Sequence, residues 1–266
     1  MAHKNYIASK YTTNKTTSVN DILVEEEALQ IVINGKPFTI TMRTPGDDEP
    51  LVRGLLYCED VYTDELISPP IVFEKQADKT IASVNIPEKQ IQSGIENERS
   101  LISVSSCGIC GKTQMDDLSG TLKAGANIAL EQLNALFQKM EEKQDLFSKS
   151  GGSHAAAIFT QTGDLLSIKE DVGRHNAVDK SIGETLLNKQ LQQAHCLTVS
   201  GRVSYEIVLK AFRAKIPILA AVSAPSSLAV DYARELGITL FAFCREGGAT
   251  CYSFPLGNTD DTNVTD

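Results

Sequence analysis

Two hydrophobic rhythms divide this chain. In the first half, short apolar runs alternate with turn residues. Gln30–Ile33 and Phe38–Met42 flank Asn34-Gly35. That dipeptide tolerates the positive backbone angles of a two-residue turn, so the segment predicts a β-hairpin. Pro45-Gly46-Asp47-Asp48 reads as a turn opening a helix, with Leu51, Leu55 and Leu56 on one face. Ile71–Phe73 and Ile81–Ile86 predict a second hairpin, and Leu101–Val104 a strand leading into Ser105-Ser106-Cys107-Gly108-Ile109-Cys110-Gly111-Lys112. Residues 1–20 and 258–266 are polar and read as flexible tails.

The second rhythm starts with Ile128–Phe147, which has helical periodicity and good helix formers. Two strands, Ala155–Phe159 and Leu165–Ile168, are joined by the turn Thr162-Gly163-Asp164. Further strands are expected at Leu197–Val199, Ile218–Val222 and Thr239–Phe243, separated by helices over Asn176–Leu187, Tyr205–Ala214 and Ser227–Leu236. Strands alternating with helices predict a layered α/β sheet, largely parallel. The expected organisation is a hairpin-rich N-terminal domain over residues 21–125 and an α/β domain over 126–257, α+β overall.

Composition narrows the function. A net charge of -9 argues against wholesale nucleic-acid binding, so an anionic ligand would need a local cluster of cations. No apolar run has the length of a membrane span, and the first twenty residues lack the apolar stretch of a secretory signal. Of the six cysteines, Cys58, Cys196 and Cys244 sit inside apolar runs and are expected to be buried free thiols. A secreted disulfide scaffold would be shorter and denser in cysteine, which points to a reducing compartment, the cytoplasm.

Cys107 and Cys110 are the most informative pair. Thiols at this spacing can face one ligand or each other. Gly108 and Gly111 leave the sulfurs uncrowded, and Lys112 favours the thiolate, the reactive form. Four readings compete. A surface pair without a role is one. Structural zinc is another, but it wants a second close pair, and His154 and His175 lie far along the chain. A thioredoxin-like redox pair expects the motif at a helix start beside a βαβ unit, whereas this one follows a strand. Sulfur relay needs one thiolate to take sulfane sulfur as a persulfide and a second to assist its release. Spacing alone does not rank relay above redox.

The segments after the later strands are polar and glycine-rich: KEDVGRHN, SGRVSYE, SAPSSL and CREGGAT. Ligands of open α/β sheets sit outside the carboxyl ends of strands. Arg174, Arg202 and Arg245 each occupy one of these loops, and arginine forks match phosphate oxygens. Three of the loops run into a helix start, where Ser200 and Ser223 could cap a helix or bind a ligand. No GxGxxG or P-loop pattern supports an ordinary NAD or ATP site. Glu170-Asp171 could bind a base edge or cap the next helix. Asp179 and Lys180 read as a solvated helix face.

Together these motifs resemble the FdhD family, the accessory sulfurtransferases of formate dehydrogenase. The resemblance runs from about Ile22 to Pro255. It is carried by Met42–Glu49, Ser105–Lys112, Gly151–Phe159, Glu170–Lys180, Ser200–Glu206, Val222–Val230 and Phe243–Gly248. It implies a persulfide on Cys107, with Cys110 assisting, loaded by a cysteine desulfurase. The sulfur would pass to molybdenum bis(molybdopterin guanine dinucleotide), bound as substrate, before the cofactor enters the formate dehydrogenase catalytic subunit. Phe243, Cys244, Arg245, Glu246, Gly247 and Gly248 match the family's cofactor-binding stretch. Arg174, His175 and Arg202 fit the phosphates of its GDP-like moieties. The resemblance also implies a homodimer and a three-layer α/β/α second domain of cytidine-deaminase-like fold. Nucleobase deamination itself is disfavoured, because His154 is followed by Ala155 and Ala156 where H-x-E is required. The alternatives are a non-catalytic chaperone for the molybdenum cofactor and a thiol redox protein.

Overall fold

The structure is a computed structural model that describes residues 2–92 and 120–254. The expected strand Leu101–Val104, the Cys107–Cys110 motif and the C-terminal tail lie outside the described residues.

Residues expected as an N-terminal tail instead form β1 (His3–Thr12) and β2 (Lys15–Val24), paired in register from His3↔Val24 to Thr12↔Lys15. Their threonines, Ile7, Val19 and Ile22 favour extended backbone even where the sequence is polar. A four-stranded sheet follows, in the order β4-β3-β6-β5. It comprises β3 (Glu27–Ile33), β4 (Lys36–Arg43), β5 (Ile71–Lys75) and β6 (Lys79–Val84). Asn34 and Gly35 both carry positive φ, 49° and 79°, at the tip of the first predicted hairpin. Helix α1 (Asp48–Cys58) covers this sheet, packing Leu51, Val52, Leu55 and Leu56 against Leu29, Ile31, Ala82 and Val84.

The predicted helix over 128–147 is two helices, α2 (Leu130–Glu141) and α3 (Asp145–Ser150). The carboxylate of Glu170 explains the restart. It accepts the backbone N–H groups of Leu146 and Phe147 at 2.7 and 2.8 Å, at the start of α3. Glu170 therefore caps the helix before it in sequence, not the one after it.

The remaining elements are β7 (His154–Phe159), β8 (Leu165–Asp171), α4 (Arg174–Leu187), β9 (Cys196–Val199), α5 (Tyr205–Arg213), β10 (Ile218–Ala221), α6 (Ser227–Leu236), β11 (Thr239–Arg245) and β12 (Gly248–Cys251). Their six strands form one sheet in the order β12-β11-β10-β9-β7-β8. Strands β9, β10 and β11 run parallel; β7 is antiparallel to both β8 and β9. Side chains alternate between the two faces, as strand periodicity demands. Ala155, Ala157, Phe159, Ile218 and Ala220 pack on Leu133, Leu136 and Met140 of α2. Ala156, Ile158, Leu197, Leu219 and Leu240 pack under α4, α5 and α6.

Helices α1 and α4 join the two sheets at very close range. A Cβ on Gly54 would lie 1.9 Å from the Asp179 carbonyl oxygen, and one on Gly183 would lie 1.8 Å from that of Pro50. Only glycine permits this approach. The same packing buries Asp179 and Lys180, correcting the expectation of a solvated face. Asp179 pairs with Lys210 of α5 at 2.6 Å. Lys180 reaches Asp171 at 2.8 Å and the Thr44 carbonyl at 2.9 Å.

Candidate functional site

Because β9, β10 and β11 are parallel, their carboxyl ends open on one edge of the sheet. Two reversals of direction, through β7, bring the end of β8 and the start of β7 to that edge as well. His154, the β8–α4 turn, the β9–α5 turn, the β10–α6 turn and the β11–β12 hairpin are thus gathered from distant parts of the sequence.

Backbone hydrogen bonds lace these segments together. Ser200 N–H donates to Ala155 O at 3.0 Å, and its hydroxyl accepts Ala155 N–H at 2.9 Å. Val203 N–H donates to Ala224 O and Ser226 N–H to Val203 O, joining the turns after β9 and β10. The β8–α4 turn is set by Asp171, whose carboxylate accepts N–H groups from Gly173 and Thr44 and the amide of Asn176. Ser200 and Ser223, expected as possible caps, do not occupy the N-cap positions. Those fall on Ser204 and Ser226.

Gly201 is buried where two functional side chains meet. A Cβ there would stand 3.3 Å from His154 Nδ1 and 3.3 Å from Arg174 Cβ. The His154 pKa is lowered by burial and by the Arg174 charge, with smaller contributions from His175 and Arg202 against the opposing pull of Asp171. Its ring is therefore neutral near pH 7. Arg174 Nε is buried and has no hydrogen-bond partner among the described residues, and an orphaned guanidinium N–H is costly unless another oxygen meets it. His175 Nε2 lies 3.1 Å from Ser204 Oγ and 3.2 Å from Glu206 Oε2. Arg202 is exposed beside them.

The segment Phe243–Gly248 is a hairpin tip, not a loop that enters a helix. Glu246 and Gly247 form the turn with φ of 54° and 78°, between the paired Arg245 and Gly248. Phe243 has φ 53° at a bulge in the ladder, is partly exposed, and donates its N–H to Ser223 O at 3.4 Å. Arg245, Glu246, Gly247 and Gly248 are exposed. Cys244 alone turns inward, beneath α2, and burial pushes its thiol up to about 12. The hairpin stands two strand spacings, roughly 10 Å, from β9 along the same edge. Arg174, His175, Arg202 and His154 are thus brought together, and Phe243–Gly248 flanks them. Ser204 and Glu206 belong to the cluster although the sequence assigned them no role.

A mixed six-stranded sheet with helices on both faces, and an edge that gathers arginines and a serine-cradled histidine, define a layered α+β protein. The chain matches the FdhD/NarQ family over residues 24–256. It belongs to that family. It is 43% identical over 252 residues to the Sulfur carrier protein FdhD of Streptomyces coelicolor, covering 88% of this chain and 87% of the relative. To the protein of the same name from Sulfurisphaera tokodaii it is 39% identical, covering 90% and 93%. A crystal structure described as a formate dehydrogenase accessory protein from Desulfotalea psychrophila superposes with a TM-score of 0.73. It is 21% identical and covers 96% of this chain and 98% of its own, which shows a shared fold. Among the described residues, no helix is long and apolar enough to cross a membrane.

Proposed function

We propose that this chain is a sulfur carrier serving formate dehydrogenase in the cytoplasm. A cysteine desulfurase donates the sulfur, and molybdenum bis(molybdopterin guanine dinucleotide) receives it. The thiolate of Cys107 attacks the outer sulfur of the donor persulfide. One S–S bond forms, another breaks, and the donor leaves as a thiolate. Attack by Cys110 on the inner sulfur then releases the outer one as hydrosulfide, which becomes a ligand of molybdenum. The resulting Cys107–Cys110 disulfide is reduced by a cellular thiol before the next cycle.

The cofactor is cargo, held through its guanine dinucleotide arms. The observation that carries this reading is the buried Nε of Arg174, unpartnered among the described residues, in a cluster with His175, His154 and Arg202. On a chain of net charge -9, such a cluster focuses positive potential at one place. Phe243, Arg245, Glu246, Gly247 and Gly248 would present the exposed hairpin tip to the same ligand, with Cys244 supporting it from below. The layered C-terminal half is in keeping with a cytidine-deaminase-like fold, and a homodimer would give the two arms of the cofactor two equivalent edges. The formate dehydrogenase catalytic subunit is the final acceptor.

The test is mass spectrometry after incubation with a cysteine desulfurase and cysteine. One added sulfur on the peptide containing residues 107–110 is expected, absent in Cys107→Ala. That variant should abolish formate dehydrogenase maturation and still bind GDP. If maturation survives it, the chain is a non-catalytic cofactor chaperone. If the pair cycles only between dithiol and disulfide, without an added sulfur, it is a thiol redox protein.

A further inference from the structure

Two helices at the carboxyl edge begin with a serine, and the two serines behave differently. Ser226 caps α6 in the ordinary way, accepting Ala229 N–H at 3.2 Å. Ser204 occupies the same position on α5 and makes no side-chain cap. Its hydroxyl turns aside to His175 Nε2 at 3.1 Å and donates to Glu206 Oε2 at 3.3 Å. Glu206 Oε2 is itself 3.2 Å from the same ring nitrogen. Both side chains of the His175–Glu206 pair are nearly buried, at 14% and 11% exposure.

This geometry fixes a proton. A carboxylate only accepts hydrogen bonds, so Nε2 must carry the hydrogen it shares with Glu206 and Ser204. Nδ1 is then left with a free lone pair, an acceptor for a ligand donor.

We propose that Glu206, with Ser204, is a positioning residue that holds His175 with Nε2 protonated and presents Nδ1 as an acceptor to a ribose hydroxyl of the bound ligand. The ligand class is a nucleoside diphosphate. This rests on the reading of the carboxyl edge as the site for the guanine dinucleotide arms, and it adds the residues that prepare one of its contacts. Helix α5 gives up an ordinary cap so that the histidine gains a fixed orientation.

Nitrogen-15 NMR of the histidine rings tests the positioning without any ligand, with the His175 signal assigned by its loss in His175→Gln. The native ring should carry its hydrogen on Nε2, and Glu206→Ala should yield a mixture of tautomers. A native ring already mixed, or protonated on Nδ1 alone, overturns the proposal. Titration with GDP then tests the consequence. Glu206→Gln should weaken binding about tenfold, the loss of one well-oriented hydrogen bond, and Ser204→Ala by less. In a His175→Gln background, Glu206→Gln should cause no further loss. An equal further loss there would mean that Glu206 acts independently of His175, and the proposal fails. If native protein shows the fixed ring but binds no GDP, the cofactor reading fails while the positioning of His175 stands.

Discussion

Lys180→Met would measure what ties the ligand edge to the N-terminal sheet. Lys180 and Asp171 are 1% and 0% exposed, and their charges meet at 2.8 Å. Methionine keeps the volume of the aliphatic stem and removes the ammonium. Asp171 would then be a buried carboxylate without a cation, and breaking such a pair from one side costs about 3–5 kcal/mol. Three donors, from Thr44, Gly173 and Asn176, remain on the carboxylate and pull the figure toward the lower end. Loss of the 2.9 Å bond to the Thr44 carbonyl adds about 1 kcal/mol. The expected cost is about 3–4 kcal/mol, a fall in Tm of roughly 6–16 °C for a chain of this size. Urea denaturation and calorimetry both read it. Asp171→Asn combined with Lys180→Met removes both charges and should recover about half of the loss. A single variant within about 1 kcal/mol of native, or a double variant no better than the single, would refute the reasoning.

Gly183→Ala forces a methyl to within bonding range of a carbonyl, so α1 must lift from α4; a loss above about 3 kcal/mol is expected by chemical denaturation. Burial pushes the thiols of Cys58, Cys196 and Cys244 up. Native alkylation at pH 8 should spare these three until denaturant is added, as peptide mapping will show. His154 has its folded pKa depressed, so below about pH 6.5 the unfolded chain binds the proton more readily. Stability should therefore be flat above that pH and decline as pH falls through it, with a shallower decline in His154→Gln. His195, also depressed by burial, supplies part of the remaining slope. Arg174→Gln should weaken GDP binding about tenfold with little change in Tm, checked by titration and calorimetry, because the buried Nε makes no bond to the described residues.

The strands and helices between residues 154 and 243 were legible because most are bounded by glycine, serine or proline signals, whereas β12 fell in a segment read as a loop. The Asn34-Gly35 hairpin was legible for the same reason. The N-terminal hairpin was not, since its strands are polar and largely exposed and bury no face that would show as an alternating pattern. Nor was the break between α2 and α3, which depends on Glu170 arriving from a strand more than twenty residues later. The arginines and His175 could be gathered by reasoning from parallel strands, because loop position follows from topology. Glu206 could not. On sequence alone it is an acidic residue in the first turn of a helix, favoured there by the backbone dipole whatever else it does. The burial of Asp179 and Lys180 was hidden likewise, because charge patterns report solvent only where no second helix lies against them.

The glycine floor between α1 and α4 bears on how this molecule can be cut. The tidy sequence boundary near residue 125 suggests that the C-terminal half could be expressed by itself. Stripped of α1, however, that half would show a bare trough over Gly183, flanked by apolar wall and by the Asp179–Lys210 pair with nothing above it. The two halves are better regarded as a hinge-less clasp, in which each closes the other's open side.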